Sequence, residues 1–413
     1  MVQPLVVEYL TTHTLKQLED EFDVRSRPSK NFDKFSLNYN EISPPGVKLS
    51  EQCRGLIIRP SPEFVTKCIL SSEDEWRNVI VGNIELLAWP LNRFYNVDDC
   101  NAAKVDWSSA QTCVYEKLDG TMCILYWDTK REQWFVATRN VPEADNIVGG
   151  MNNNETFYDL FMIGMKNTYE KLTDKHIWFT VNHPDDVLNI NKALTYVFEL
   201  TSPHNKQVVN YNNTQITLLS ARLIATGEEL HLNEIYLTNV CRPMYWANFN
   251  DHVSLKEFVE KSDPTKLEGA VVCDNKFNRI KVKSKAYVTA SRSKNVIVSS
   301  RRNALDAIIR GTLDDVLPFV SGEIATELIQ LREKTKLYYK RVDDNFVAWK
   351  TVSETRKSFA EKVIMSNKWP KPYFDMWSGK FINALECITD TLKSGRMSTS
   401  MLDAMLKDID KET

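Results

Sequence analysis

The eight cysteines of this 413-residue chain are scattered, and no two stand in the Cys-x-x-Cys spacing of a zinc ribbon or a redox pair. Reduced thiols in a cytoplasmic compartment are the expected state. The six histidines also lack metal-ligand spacing, so they are read as surface or hydrogen-bonded residues. No run of about 18 apolar residues and no charged-then-apolar leader occurs, which predicts neither a membrane span nor secretion. A large charge of one sign is missing too. A formal net charge of −3 argues against a generally basic nucleic-acid coat protein, so any polyanion site must be local.

What is present is enough chain for two domains, and a composition 43% apolar and 10% aromatic can bury their cores. Alternation of β-branched and aromatic residues predicts strands over Ser50–Pro60, Val114–Trp127, Trp134–Thr138, Thr195–Leu200, Ile216–Ala225 and Gly269–Lys283. Thr226–Glu229 reads as a hairpin turn and Met151–Lys175 as a covering helix. After about Asn303 the period changes. Ile324, Leu328, Leu331, Tyr338, Val342, Phe346 and Trp349 recur at helical spacing. Pro370 and Pro372 interrupt the pattern, a further helix is predicted over Phe374–Lys393, and Ser398 with Thr399 caps a last one through Lys407. The expected fold is α+β: an antiparallel-sheet domain over residues 1–300, followed by an all-helical domain over 301–413.

Chemistry concentrates at Lys117-Leu118-Asp119-Gly120, where an apolar strand ends on a lysine followed by an acid and a glycine. A lysine amine attacks phosphorus only when neutral, so its pKa, ordinarily near ~10.4, must be lowered by burial or neighbouring cations. Gly120 permits a close backbone approach, and Asp119 offers an acceptor for a sugar hydroxyl or an arginine. Lys281 and Lys283, two apart in a strand, share a face, can flank one phosphate, and beside Lys117 would lower its pKa. Glu199 should face opposite to Phe198 and Leu200, and Glu268 enters the strand at Gly269. The two carboxylates suit a divalent cation and ribose hydroxyls. Arg54, ahead of Gly55, can make a bidentate phosphate contact or hold Asp119 in place. From Asn275 to Leu305 nine lysines and arginines occur with no acid, which reads as a polyanion path.

These segments, in order Glu51–Ile58, Lys117–Gly120, Val197–Leu200, Leu267–Val272 and Ile280–Ser284, resemble the motifs of the covalent nucleotidyltransferases, the ATP-dependent ligases and RNA-capping enzymes. Arg54-Gly55, Trp89–Asn96, Pro203–Lys206 and Lys281–Tyr287 are most similar to the bacteriophage RNA ligase 1 family, over roughly residues 30 to 295. The resemblance implies an adenylation domain and an RNA ligase that joins 5′-phosphate and 3′-hydroxyl RNA ends through a lysyl-AMP on Lys117. It implies nucleotide contacts from Arg54, Arg93, Asp119, Gly120, Glu199, Glu268, Gly269, Lys281, Lys283 and Tyr287, and magnesium or manganese at Glu199 and Glu268. RNA contacts are expected from Arg54, Arg292 and Lys294. Arg93 and Arg139 stand where the family usually has lysine, which changes the donor geometry. Further implications are broken transfer RNA as a substrate, an end-healing kinase/phosphatase as a partner, and the cytoplasm of a phage host as the setting; beyond the resemblance, the weak charge excess of residues 301–413 predicts that the helical domain recognises RNA by shape. A capping guanylyltransferase, a DNA ligase and a non-catalytic RNA-end-binding protein are the alternatives.

Overall fold

The computed structural model describes residues 2–40, 42–71, 73–148, 155–173, 189–314, 316–320, 322–366 and 369–412. The chain divides into two compact units, Met1–Tyr287 and Val288–Thr413. In the first, β1 (Val24–Pro28), β2 (Phe35–Tyr39), β3 (Arg54–Pro60) and β4 (Ile84–Ala88) form an antiparallel sheet in that order. A second antiparallel sheet runs β11 (Glu229–Leu230), β10 (Gln215–Leu223), β9 (Leu194–Thr201), β7 (Thr121–Asp128), β8 (Gln133–Thr138). The third sets β5 (Tyr95–Asn96), β13 (Arg279–Lys283), β12 (Gly269–Cys273) and β6 (Cys113–Lys117) side by side, with β5 the parallel member.

Strand alternation decides the layers. Helices α1 (Leu5–Leu10), α2 (Leu15–Phe22), α3 (Lys48–Gln52) and α4 (Pro62–Leu70) precede or follow strands of the first sheet. Leu10, Leu18 and Phe64 from α1, α2 and α4 pack on Phe35 and Leu56 of that sheet. The opposite face of the sheet meets the second sheet through Ile57, Leu87, Ile124, Tyr126 and Val197. On the far side of the second sheet, α5 (Phe157–Thr173) lays Leu160, Phe161 and Met165 on Phe198, Leu200 and Ile216. Val114, Ala270, Val272, Ile280 and Val282 line one face of the third sheet and pack on Leu255 and Val259 of α6 (His252–Lys261).

Several expectations need correction. Gly269–Lys283 is a hairpin of two antiparallel strands, β12 and β13, rather than one strand. Ser50–Gln52 belongs to α3, because the strand begins only at Arg54. Val114–Trp127 is two strands in different sheets, since the chain turns at Leu118–Gly120 although the apolar alternation runs on. The helix expected over Phe374–Lys393 is divided by a turn containing Gly379 at φ 74° and the N-cap Asn383. Of the helix expected over Met151–Lys175, positions 151–154 and 174–175 lie outside the described residues. The hairpin turn at Thr226–Glu229 joins β10 to β11 as expected.

A charge network lies buried between the first two sheets. Lys34 and Asp128, both fully buried, are 3.3 Å apart. Lys34 also pairs with Glu143 at 2.6 Å and lies over the Phe135 ring. Arg59 joins Asp128 to Glu85. Removing one member of such a network leaves desolvated charge uncompensated, so Asp128→Ala is expected to cost about 3 kcal/mol of stability. The urea midpoint should fall accordingly. An unchanged midpoint would show that Glu143 and Glu85 suffice to satisfy both cations.

The second unit is helical. It contains most of α7 (Lys285–Val298), then α8 (Arg301–Arg310), α9 (Gly322–Thr351), α10 (Arg356–Ser366), α11 (Lys371–Trp377), α12 (Ala384–Lys393) and α13 (Thr399–Ile409). Leu328, Leu331, Tyr338 and Val342 of α9 form its spine against Leu305, Phe359, Tyr373, Ile388 and Met405. Ile324, expected in that stripe, is 44% exposed. Pro370 and Pro372 start α11 as well as interrupting what precedes it, and Ser398 caps α13 by accepting from the Met401 amide. Arg301 pairs with Asp410 and Arg302 with Asp403, each at 2.5 Å. In the first unit Arg279 pairs with Glu229. The nine-cation run is therefore not one unpaired stripe. All eight cysteines are free thiols. Among the described residues, no helix is long and apolar enough to cross a membrane.

Candidate active site around Lys117

Lys117 is the last residue of β6 and Thr121 the first of β7, so Leu118–Gly120 carries the chain from the third sheet to the second. Only glycine fits at position 120, where a Cβ would lie 2.3 Å from the Leu200 carbonyl oxygen. The Gly120 amide donates to Glu199 Oε1 at 3.0 Å. Across the third sheet, Lys117 is in register with Gly269 and Gly269 with Lys283. Gly269 has φ 154°, and a Cβ there would meet the Val282 carbonyl oxygen at 1.9 Å. This close passage sets Glu268 between the two lysines. Its Oε2 lies 2.8 Å from Lys117 Nζ and its Oε1 2.6 Å from Lys283 Nζ. Pleating puts Tyr115, Lys117, Val271, Arg279, Lys281 and Lys283 on one face of the sheet, opposite the apolar face that packs on α6.

The charges distribute differently from expectation. Burial opposes the Lys117 ammonium, but Glu268, Glu199 and Asp119 outweigh it, and its pKa stands above the ordinary lysine value. The expected lowering falls on Lys281. Burial first, then Lys283, Arg54 and Lys117, bring its pKa down to about 7. Glu268 gives both oxygens to Lys117 and Lys283, and Lys281 has no ion-pair partner among the described residues. Burial also pushes Glu199 up to about 7, against the opposing pull of Lys117.

Asp119 is committed to structure. Its Oδ2 accepts from the Val208 and Val209 amides at 2.8 and 2.9 Å, and its Oδ1 from the Tyr287 hydroxyl at 2.6 Å. The Tyr211 hydroxyl accepts from the Asp119 amide at 2.9 Å. The expected acceptor for a ribose is thus a clamp on the 208–211 segment, and Tyr287 reaches Asp119 rather than a phosphate. Arg54 stacks over Phe94 at 4.9 Å, with its Nε and one terminal nitrogen buried and unpartnered. Arg93 lies in a neighbouring cleft, stacked on Tyr39 and Tyr95 and bonded to the Ser43 carbonyl at 2.9 Å. Arg292 and Lys294 belong to the second unit.

Two recesses meet at Lys117. One, of about 800 Å³, is largely apolar, with Tyr115, Leu118, Leu219, Leu230, Val271 and Phe277 in its lining. The other, of about 1220 Å³, is polar and includes Arg27, Arg54, Arg139, Glu199, Asn205 and Glu268. The polar recess suits a phosphorylated ligand, because the buried unpaired nitrogens of Arg54 want an anion. A divalent cation fits at Glu199, which lines the polar recess, whereas each oxygen of Glu268 already faces a lysine. Among the described residues no three carboxylate, histidine or cysteine side chains converge, so such an ion would take most ligands from phosphate oxygens and water. Sequence reading missed Tyr211, the Val208–Val209 amides, Arg27 and the apolar recess. Their positions depend on contacts between distant segments, and no local spacing marks them.

A lysine at a strand end, paired with a carboxylate and flanked by two lysines beside one apolar and one cationic recess, is the arrangement expected of a covalent nucleotidyltransferase. The chain belongs to the phage-type RNA ligase 1 family, whose RNA ligase profile matches residues 52–287. It is 26% identical over 324 residues to a candidate bifunctional polynucleotide kinase/RNA ligase of Autographa californica nuclear polyhedrosis virus. That match covers 76% of this chain and 41% of the viral protein, so the chain spans less than half of that relative's length. Similar solved structures include an archaeal ATP-dependent RNA ligase (11% identity, TM-score 0.39, 88% of this chain and 90% of that one). A Naegleria gruberi RNA ligase with pyrophosphate gives 13% identity and TM-score 0.30 over 56% of this chain and 72% of its own.

Proposed function

We propose that the protein is an ATP-dependent RNA ligase acting through Lys117. The observation that carries this reading is the position of Lys117 Nζ, 2.8 Å from Glu268, at the meeting of an apolar recess for a base and a cationic one for phosphates. Lys117 Nζ loses a proton and attacks the α-phosphorus of ATP. The P–N bond forms as the bond to pyrophosphate breaks. AMP then passes to an RNA 5′-phosphate, and a 3′-hydroxyl attacks that phosphate and expels AMP. Lys281 and Lys283 neutralise charge on the phosphate in flight, and Arg54 binds the phosphates or the RNA end. Magnesium or manganese at Glu199 would supply charge neutralisation on the phosphate oxygens. Glu268 orients Lys117 and Lys283.

In this reading the helical unit, with Arg292 and Lys294 at its start, recognises RNA shape, and broken transfer RNA in a host cytoplasm is the substrate. The viral relative's description supports an end-healing kinase as partner. The test is incubation with α-labelled ATP or GTP and magnesium, followed by a denaturing gel and by sealing assays on nicked RNA and nicked DNA. Label from ATP and sealing of RNA are expected. A stronger adduct from GTP would indicate capping, preferential sealing of DNA a DNA ligase, and no adduct at all a non-catalytic binder.

A further inference from the structure

Next to the apolar recess lies a third one, of about 960 Å³. It shares Phe94, Phe277 and Arg279 with the apolar recess, but none of Lys117, Lys281, Lys283 or Glu268 lines it. Four parts of the first unit build it: Glu51 of α3, the segment around β5, the β10–β11 hairpin and the β12–β13 hairpin. Its charged lining is Arg93, Arg222, Lys276 and Arg279 against Glu51 and Glu229.

The acids are already engaged. Glu229 is shared by two guanidinium groups, Arg279 and Arg222, the latter at 3.1 Å, and also accepts from Ser220 Oγ at 2.8 Å. Glu51 accepts from the Tyr95 hydroxyl at 2.8 Å. One carboxylate between two arginines leaves a positive charge over, and Arg93, with the charge of Asp99 nearby, has no ion pair among the described residues and bonds to a carbonyl and stacks on two rings. Arg222 is 8% exposed, stacks on Trp89, and keeps a buried Nε with no partner. Lys276 stands exposed at the tip of the β12–β13 hairpin, and Ala103 lines the same cleft. In a chain of net charge −3, this local surplus has desolvated, fixed donors, and such donors select phosphate.

We propose that this cleft is a second phosphate-binding site, which holds backbone phosphates of the RNA strand while Lys117 and its neighbours handle the nucleotide. The inference rests on the ligase reading and names a substrate subsite for it. Two phosphate sources share this chemistry, the RNA backbone and the polyphosphate tail of ATP. The RNA is favoured because the polar recess with Arg27, Arg54 and Arg139 already adjoins Lys117. The cleft also offers the rings of Phe94 and Phe277 and the amide of Asn92 for nucleoside contacts.

The test uses the full chain with Lys276→Glu and, separately, Ala103→Glu, neither of which touches the Lys117 machinery. Binding of a fluorescent 5′-phosphorylated RNA 12-mer is followed by anisotropy across a potassium chloride series, and label transfer from α-labelled ATP is measured in parallel. Each variant should weaken RNA binding at least about fivefold at low salt and flatten the slope of log affinity against log salt by about 1. The rate and KM of self-adenylation should not change. Unchanged RNA affinity and slope in both variants would overturn the proposal. A raised KM for ATP with unchanged RNA binding would overturn it too, and assign the cleft to the triphosphate. If the wild-type protein took no label, the ligase reading would fail, while the anisotropy comparison would still decide whether the cleft binds RNA.

Discussion

Lys117→Ala is expected to take no label from α-labelled ATP while keeping the thermal unfolding midpoint of the wild type. In the proposed reading this side chain is the nucleophile, and the site offers no substitute for it. Lys283 is engaged by Glu268, and Lys281, although its pKa lies near 7, extends from β13 and lies over Phe94. Loss of a covalent nucleophile removes the intermediate altogether, so the fall should exceed about 10⁴-fold, down to the detection limit. The same variant should still seal RNA that carries a pre-formed 5′-adenylate, because that step needs the phosphate-binding groups but not the amine. A lysine-free adduct of normal yield would remove Lys117 from the mechanism.

Glu268→Gln is the second large effect, and its pH dependence tells positioning from simple structural loss. In the wild type, burial lowers the Lys117 pKa but Glu268, Glu199 and Asp119 raise it further, to above the ordinary lysine value. The neutral fraction of the amine therefore grows with pH throughout the neutral and mildly alkaline range, and label transfer should climb with it. Without the Glu268 charge, burial and the neighbouring cations dominate, and the amine loses its proton at lower pH. The variant should thus lose at least about 100-fold in rate at pH 7, since neither Lys117 nor Lys283 is held in place, while its residual rate levels off at a lower pH than in the wild type. A profile of unchanged shape, or an unchanged rate, would show that the 2.8 and 2.6 Å contacts have no part in placing the nucleophile.

The site was legible where it depends on strand parity. Lys281 and Lys283 share a face because they are two apart, and Glu199 points away from its apolar neighbours for the same reason. Gly269 in register with both Lys117 and Lys283 then turns three separate sequence motifs into one row. Parity says nothing about partners across the chain, so it could not show the protein contacts that Asp119 makes at the edge of the polar recess. Its acceptors are filled by Val208, Val209 and Tyr287, about 90 and 168 positions away. The pKa expectation failed for a related reason. Like-charge repulsion was foreseen, but not that one carboxylate would serve two of the three lysines and leave the third to bear it. At the level of the fold, alternation predicted the strands but could not show that β6 and β7 belong to different sheets.

That division bears on how firmly the nucleophile is held. β7 starts at Thr121, just after the Lys117 loop, and over its eight residues, a span of about 24 Å at ~3.4 Å per residue, reaches Asp128 in its grip of Lys34 and Arg59. Oily faces slide past one another with little preference for one offset, but a buried lysine between two carboxylates fixes the offset. The strand then behaves as a strut pinned at its far end. A pull on the loop is resisted along the full length of the strand, so a single charge exchange at Asp128 should loosen geometry at a reacting centre it never touches.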